Sequence, residues 1–333
     1  MAKSRASSAK ARASSAKPSK AKTTARATDV PIDIVYVGPT LAADEVRRLL
    51  PDADVRGPVA VGDVLRVVEG QGVHASVASA RTRAREPRVG RIAIIDGYFE
   101  RMAAVWHKEI LLAIEAGIEV WGAASMGALR AAELAPFGMR GVGAIFERFA
   151  SCELVADDEV AVAHLPAEYN YRATSVALVD LRAGIERLAS SQRDTPSDHA
   201  GGSLLDRAER DQLVELARAP FYRDRSWARL RADAKVAGMS AAIVDALGDL
   251  AMTRGSQKAD DARRLLETMA AETAKSTTTP STTKPSTKPS TTTPSTTTPS
   301  TTKPATTKPA QATPLRVPRT WALAQLRAYL ARR

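Results

Sequence analysis

The stretch that decides the fold is Ile118-Glu-Val-Trp-Gly-Ala-Ala-Ser-Met-Gly-Ala-Leu-Arg130. It begins with an apolar run typical of a buried strand, continues through small residues that allow a tight turn, and runs into a helix to about residue 134. Similar apolar runs at 32–37 and 91–95 are also followed by a turn and a helical pattern. This alternation predicts an α/β fold, a parallel sheet flanked by helices in a Rossmann-like three-layer arrangement.

The chain divides into five expected segments by composition. A basic, serine-rich arm without apolar residues is expected to be disordered. An α/β core follows, then a region with an α-helical pattern. Next comes a Thr/Pro/Lys repeat in which proline forbids helix, so a disordered, extended linker is expected. A short basic amphipathic helix ends the chain. The expected bounds are 1–29, 30–190, 191–275, 276–314 and 315–333.

Charge is distributed unevenly along the chain. Residues 1–28 contain eight Lys/Arg and residues 276–333 contain nine, with no Asp or Glu in either segment. The remaining residues hold 31 Lys/Arg and 37 Asp/Glu, so the body is mildly acidic and is not typical of a nucleic-acid-binding fold. The single cysteine, Cys152, excludes a disulfide framework or a cysteine-rich metal site, and we expect a cytoplasmic protein. No apolar run is long enough for a membrane helix, and no membrane partner is expected.

Three strand-to-helix turns are expected to meet at one edge of the sheet. They are 38–40, with Thr40 as the expected N-cap of the first helix, 96–98 and 124–126. The carboxyl ends of parallel strands share one edge, where ligands of α/β proteins bind. This edge is therefore the expected site.

Ser125 is the first candidate at that edge. Its small neighbours resemble the G-x-S-x-G nucleophile elbow, with alanine in the first glycine position. The amides of Met126 and Gly127 could then hold an oxyanion at the start of the helix. Two other interpretations stay open: Ser125 as a plain helix N-cap, and the turn as a binding site for a carboxylate or phosphate.

Asp96 and His107 could complete a triad with Ser125, because the geometry of a triad can arise in any chain order. Either residue could equally be structural. Arg130 and Glu133 are spaced for a surface ion pair, and the acidic run 157–159 is interpreted as a solvated turn rather than a metal site. The polar and aromatic loop 164–172 is either a site or a packing corner. No P-loop, G-x-G-x-x-G, zinc or EF-hand pattern is present, so no cofactor and no metal are expected.

Taken together, several segments resemble the TfuA-like core domain. The central one is IIDGYFERMAAVWHKEILLAIEAGIEVWGAASMGALRAAELAPFGM, and VYVGPTLAADEVRRLL, GPVAVGDVLR, DDEVAVAHLPAEYNYRATSVALVDLR and SQKADDARRLLE continue the likeness. The resemblance implies a partner of a YcaO enzyme in peptide-backbone thioamidation. Such a partner releases or delivers sulfide from a thiocarboxylated ubiquitin-like sulfur carrier, and the products are modified natural-product peptides or an enzyme thioglycine.

The resemblance also ranks the candidate residues. It implies Ser125, Asp96 and His107 as catalytic groups. A substrate-binding role is expected for Met126, Gly127, Tyr98, Lys108, Arg130, His164 and Arg172. Lys108 or Arg130 would neutralise the anionic thiocarboxylate. Cys152 stands where the resemblance implies a glycine, so a persulfide relay through it is not expected.

Three functional hypotheses follow. The first is a thiocarboxylate hydrolase with Ser125 as nucleophile, which supplies a YcaO protein. The second is a non-catalytic adaptor that docks the carrier or the peptide substrate onto YcaO. In the third, the basic tails make weak nucleic-acid contacts whose strength falls with salt.

Overall fold

A computed structural model describes residues 31–71, 88–99, 102–191, 205–253, 255–278 and 327–328. The expected basic arm and almost all of the expected linker and C-terminal helix lie outside these residues. Arg327 and Ala328 are helical. None of the helices in the described ranges is long and apolar enough to cross a membrane.

The core is a five-stranded sheet in which every strand pair is parallel. The strand order is β2-β1-β3-β4-β5. Helices cover both faces, so the predicted α/β fold with a following helical region is confirmed. The strands are β1 (Ile32–Tyr36), β2 (Asp54–Arg56), β3 (Val89–Ile94), β4 (Glu119–Ala123) and β5 (Arg140–Val142).

Side chains of successive strand residues point to opposite faces and so build two cores. The first core contains Ile92 and Ile94 and is covered by α2, α3 and α4; the second contains Ala93 and Ile95 and is covered by α1 and α10. The helices are α1 (Ala43–Leu49), α2 (Asp63–Gly70), α3 (His107–Glu115), α4 (Met126–Leu134), α5 (Ala144–Ala150), α6 (Leu178–Ser191), α7 (Arg207–Arg218), α8 (Trp227–Val236), α9 (Ala241–Thr253) and α10 (Gln257–Thr278).

Helices α6 to α9 pack together around their own apolar cluster, which includes Ile185, Leu213 and Leu247. Helix α10 behaves differently, because Leu265, Leu266 and other residues on its apolar face lie in the second core of the sheet. The chain therefore leaves the sheet after β5, builds a helical layer, and returns to the sheet with α10.

The expected N-cap at Thr40 is wrong. Helix α1 begins at Ala43 with Ala42 as its N-cap, and the Thr40 hydroxyl donates to Asp96 instead. Strand β5 and helix α5 were not expected from the sequence. The strand has only three residues and includes Gly141, which gives it little apolar pattern.

Candidate functional site

The turn between β4 and α4 is strained and tightly packed around Ser125. Ala124 has a φ of 66°, a left-handed value unusual for a residue with a side chain. Ser125 follows as the N-cap residue of α4 and is only 3% exposed. Gly127 has no room for a side chain, because a Cβ there would overlap the Ile94 carbonyl. Glycine thus lets α4 approach β3 closely, which holds Ser125 at the carboxyl edge of the sheet.

Asp96 ties a second turn to this edge. Its carboxylate is 1% exposed and accepts hydrogen bonds from the Gly38 amide (2.8 Å), the Thr40 amide (3.0 Å) and the Thr40 hydroxyl (2.6 Å). The predicted meeting of the three turns is therefore confirmed. Both carboxylate oxygens of Asp96 bind the turn after β1. These contacts indicate that Asp96 fixes this turn at the edge of the sheet.

A small cleft opens between these turns and the helical layer. Its cavity of about 30 Å³ has room for a water-sized group. Asp96 and Ser125 both line it. The other lining residues come from the sheet edge, from 162–164 and from the segment between α7 and α8: Pro39, Gly97, Tyr98, Phe99, Val162, Ala163, His164, Tyr222 and Arg223.

A buried lysine lies next to Ser125. The Ser125 hydroxyl donates to the Val160 carbonyl at 3.4 Å, and the Lys258 ammonium donates to the same carbonyl oxygen at 3.0 Å. Lys258 is 3% exposed and stands in the first turn of α10. Serine and lysine are therefore separated by one shared acceptor atom.

Ion pairs hold the segment that presents this shared oxygen. Glu159, directly before Val160, is buried and accepts two hydrogen bonds from Arg182 of α6. Asp158 pairs with the buried guanidinium of Arg225 at 2.6 Å. The expected solvated turn is thus wrong for Glu159, which is buried against the helical layer, whereas the paired Asp158 side chain stays 44% exposed. No group of potential metal ligands occurs among the described residues.

Asp180 of α6 binds the backbone at Lys258. Its carboxylate accepts from the Lys258 amide at 3.1 Å and from the Ser256 hydroxyl at 3.1 Å. Burial raises the pKa of Asp180, and the nearby Lys258 charge and these hydrogen bonds oppose the shift. The start of α10 is thus fixed to α6, and this places Lys258 at the sheet edge.

Aromatic rings form one wall of the cleft. The His164 ring lies 5.7 Å from that of Tyr98 and 5.9 Å from that of Tyr171, measured between centroids. Burial raises the pKa of the Tyr98 hydroxyl, with a further contribution from Tyr171. Asn170 and Tyr171 both have positive φ values, 51° and 54°, so the loop is held in an uncommon conformation to present this ring. The loop 164–172 thus contributes to the cleft.

The structure does not bring every predicted residue to the cleft. His107 Nε2 lies 2.7 Å from Glu133 Oε2 on the exposed side of α3, and it does not line the cleft. Arg130 pairs with Glu133 at 2.7 Å, as the spacing predicted, and also donates to the Val105 carbonyl. Lys108 lies on α3 beside His107 and Arg172 is exposed; neither lines the cleft.

One member of the predicted amide pair is already engaged. The Gly127 amide donates to the Ile95 carbonyl at 3.3 Å, because α4 lies so close to β3. The Met126 amide, at the first position of α4, is then the remaining candidate donor of that pair.

Sequence reasoning missed Lys258, Arg223 and the Val160 carbonyl. Lys258 is 133 positions after Ser125 and belongs to a helix whose pattern shows only an apolar face. The sequence feature that could have indicated Lys258 was a lysine at the start of a helix, next to residues that pack on the sheet. Nothing in the local pattern of 155–162 indicates that a backbone oxygen would be shared.

Comparison with curated proteins finds no match. A family model described as TfuA-like protein matches residues 96–226. The matched range begins at Asp96, includes Ser125, His164 and Arg223, and ends before α10 and Lys258. It contains most of the cleft together with part of the helical layer. Residues 96–226 are therefore similar to TfuA-like proteins, which are known in general as associates of YcaO enzymes.

Proposed function

We propose that the protein works beside a YcaO enzyme in peptide-backbone thioamidation and releases sulfide from a thiocarboxylated ubiquitin-like sulfur carrier. The observation that carries the proposal is the buried Ser125, which shares the Val160 oxygen with the buried Lys258 at the N-terminal end of a helix. A serine becomes a nucleophile when a neighbouring group takes its proton. The proposal places this reaction in the cytoplasm, in line with the single cysteine of the chain.

Acyl transfer accounts for the release of sulfide in two steps. The step uses Lys258 as the free amine: Ser125 Oγ bonds to the thiocarboxylate carbon, and its proton passes to Lys258 Nζ. The carbon–sulfur bond then breaks, and the sulfur leaves with that proton as hydrosulfide. Water hydrolyses the resulting ester, which restores the serine and gives the carrier carboxylate and one proton. The Met126 amide supports the oxyanion of each tetrahedral intermediate.

Lys258 replaces His107 as the proposed base. The imidazole of His107 is engaged with Glu133, whereas Lys258 Nζ lies across a single oxygen from Ser125 Oγ. Rotation of Ser125 about χ1 would free its hydroxyl from Val160 and let it approach Nζ. Asp96 then serves as a positioning residue, because its carboxylate is bound by the turn that forms the opposite side of the cleft.

Arg223 replaces Lys108 and Arg130 as the proposed partner of the substrate charge. Its side chain lines the cleft, and a guanidinium stays charged at every physiological pH. A thiocarboxylate resists nucleophiles while its negative charge is unpaired. The narrow cavity suits the end of an unbranched chain, and the ring cluster of Tyr98, His164 and Tyr171 would border the carrier tail.

Sulfide release from thiocarboxylated carrier, measured without YcaO, tests the proposal. We expect Ser125→Ala and Lys258→Met each to reduce the rate about 1,000-fold or more, because loss of a nucleophile or its base has such effects in serine hydrolases. Lys258→Arg should not rescue the rate, since arginine does not accept a proton at neutral pH. Ser151→Ala and Lys235→Met change an exposed serine and an exposed lysine elsewhere, and they serve as matched controls.

Two outcomes would redirect the assignment. A Ser125→Ala variant with the wild-type rate would remove Ser125 as the nucleophile. A wild-type protein that releases no sulfide, but tightens the binding of peptide substrate to YcaO, would favour the adaptor instead. In that case the same cleft would hold the carrier carboxylate at the α4 N-terminus without chemistry.

A further inference from the structure

A contact far from the cleft connects the end of the chain to the body. Arg327 Nε lies 2.6 Å from Glu69 Oε1, although 258 positions separate the two residues. Their side chains are 33% and 38% exposed, so each is partly enclosed. Glu69 stands in the last turn of α2, within the α/β core.

The end of α2 lacks a cation of its own. Helix α2 has Asp63 in its first turn and no basic residue in its last turn. The C-terminal end of a helix carries a partial negative charge, and Glu69 adds a full one. Arg327 therefore meets both charges at a position where most helices place their own Lys or Arg. This complementarity favours docking of the C-terminal segment in cis.

Both ends of the chain between α10 and Arg327 lie at the amino edge of β3. Just after α2, the Gln71 side chain accepts a hydrogen bond from the Val89 amide at the start of β3. On the other face, Arg91 of β3 donates to the Met269 carbonyl and the Thr273 hydroxyl near the end of α10. Ser125 and the cleft lie at the opposite, carboxyl edge. The end of α10 and the end of α2 therefore both lie at the edge away from the cleft.

We propose that the C-terminal segment is an intramolecular clasp that docks on the end of α2 through Arg327. Length does not oppose this arrangement, since the residues between Thr278 and Arg327 span well over 100 Å at about 3.3 Å per residue when extended. The clasp thus fixes Arg327 at the edge of the sheet away from Ser125.

Distance measurement in the full chain tests the clasp. Spin labels go on Arg66→Cys, one turn from Glu69 on an exposed face, and on Ala328→Cys, in a Cys152→Ser background. We expect one short, narrow distance distribution. Arg327→Glu should move at least half of the population to long, broad distances, and Glu69→Arg should do the same.

The charge swap separates a direct contact from a general effect on folding. Glu69→Arg combined with Arg327→Glu should restore at least half of the short-distance population. Asp44→Arg, an exposed reversal on α1, is the matched control and should leave the wild-type distribution unchanged. A broad wild-type distribution overturns the clasp, as does a short distance that survives Arg327→Glu, or a swap that restores nothing. None of these readouts depends on sulfide release, so they stand apart from the proposed reaction.

Discussion

Replacing Thr40 with valine removes one hydroxyl from the environment of Asp96 and leaves the shape of the side chain almost unchanged. The carboxylate oxygen that accepts this hydroxyl at 2.6 Å loses its donor, while the amides of Gly38 and Thr40 still bind the other oxygen. The variant therefore tests one bond in the network that joins the turn after β1 to the carboxyl end of β3.

The magnitude follows from the charge and burial of Asp96. A hydrogen bond to a charged group contributes about 1.5–3 kcal/mol, and the Thr40 bond is partly buried, so Thr40→Val should cost about 2 kcal/mol. Asp96→Ala removes the acceptor of all three bonds and leaves two amides facing the gap. We expect it to cost about 2–5 kcal/mol, because each buried donor left without an acceptor costs about 1–3 kcal/mol. The two changes should be coupled by about 1–2 kcal/mol, since they share one bond.

Urea denaturation of the four proteins in this double-mutant cycle gives the coupling energy. Sulfide release by Thr40→Val reports the role of Asp96 in the reaction, because that variant keeps the carboxylate. We expect a loss of less than about tenfold, which fits a positioning role. Additive free energies, or a Thr40→Val cost below about 0.5 kcal/mol, would refute the assignment of this bond as the one that holds the turn.

Three further predictions concern single positions. Cys152 has a φ of 59°, so Cys152→Gly should stabilise the protein by about 0.5–1 kcal/mol in urea denaturation, whereas Ser151→Gly, at a φ of −84°, should destabilise it. Burial raises the pKa of Glu109, so the folded protein loses stability as pH rises through that raised value. The unfolding free energy of Glu109→Gln relative to wild type should therefore increase from pH 4.5 towards neutrality, and a flat or falling difference would contradict the shift. Gly127→Ala places a Cβ against the Ile94 carbonyl, and we expect a loss above about 3 kcal/mol or a protein that does not fold.

The sequence predicts the sheet well because each long strand contains a short apolar run. The runs containing Ile34, Ile92 and Val120 became β1, β3 and β4, and the turns that follow them meet as expected. Such local patterns could not show that Lys258, rather than His107, lies next to Ser125. Both residues stand in the first turn of a helix, but whether that turn faces Ser125 depends on packing between distant segments.

Helix α10 brings Lys258 to Ser125 through two separate constraints. Its apolar face, including Leu265 and Met269, must cover the second core of the sheet, which fixes the axis of the helix. Its first turn is bound by Asp180 of α6, which fixes its position along that axis. Because both the axis and the position of α10 are fixed, Lys258 is in place before substrate binds. Electrostatic and acid–base catalysis require such preorganisation. The helical layer that inserts between β5 and α10 therefore contributes to the site even through residues that never line the cleft. Loss of the Asp180 contact should accordingly reduce sulfide release more than it reduces carrier binding.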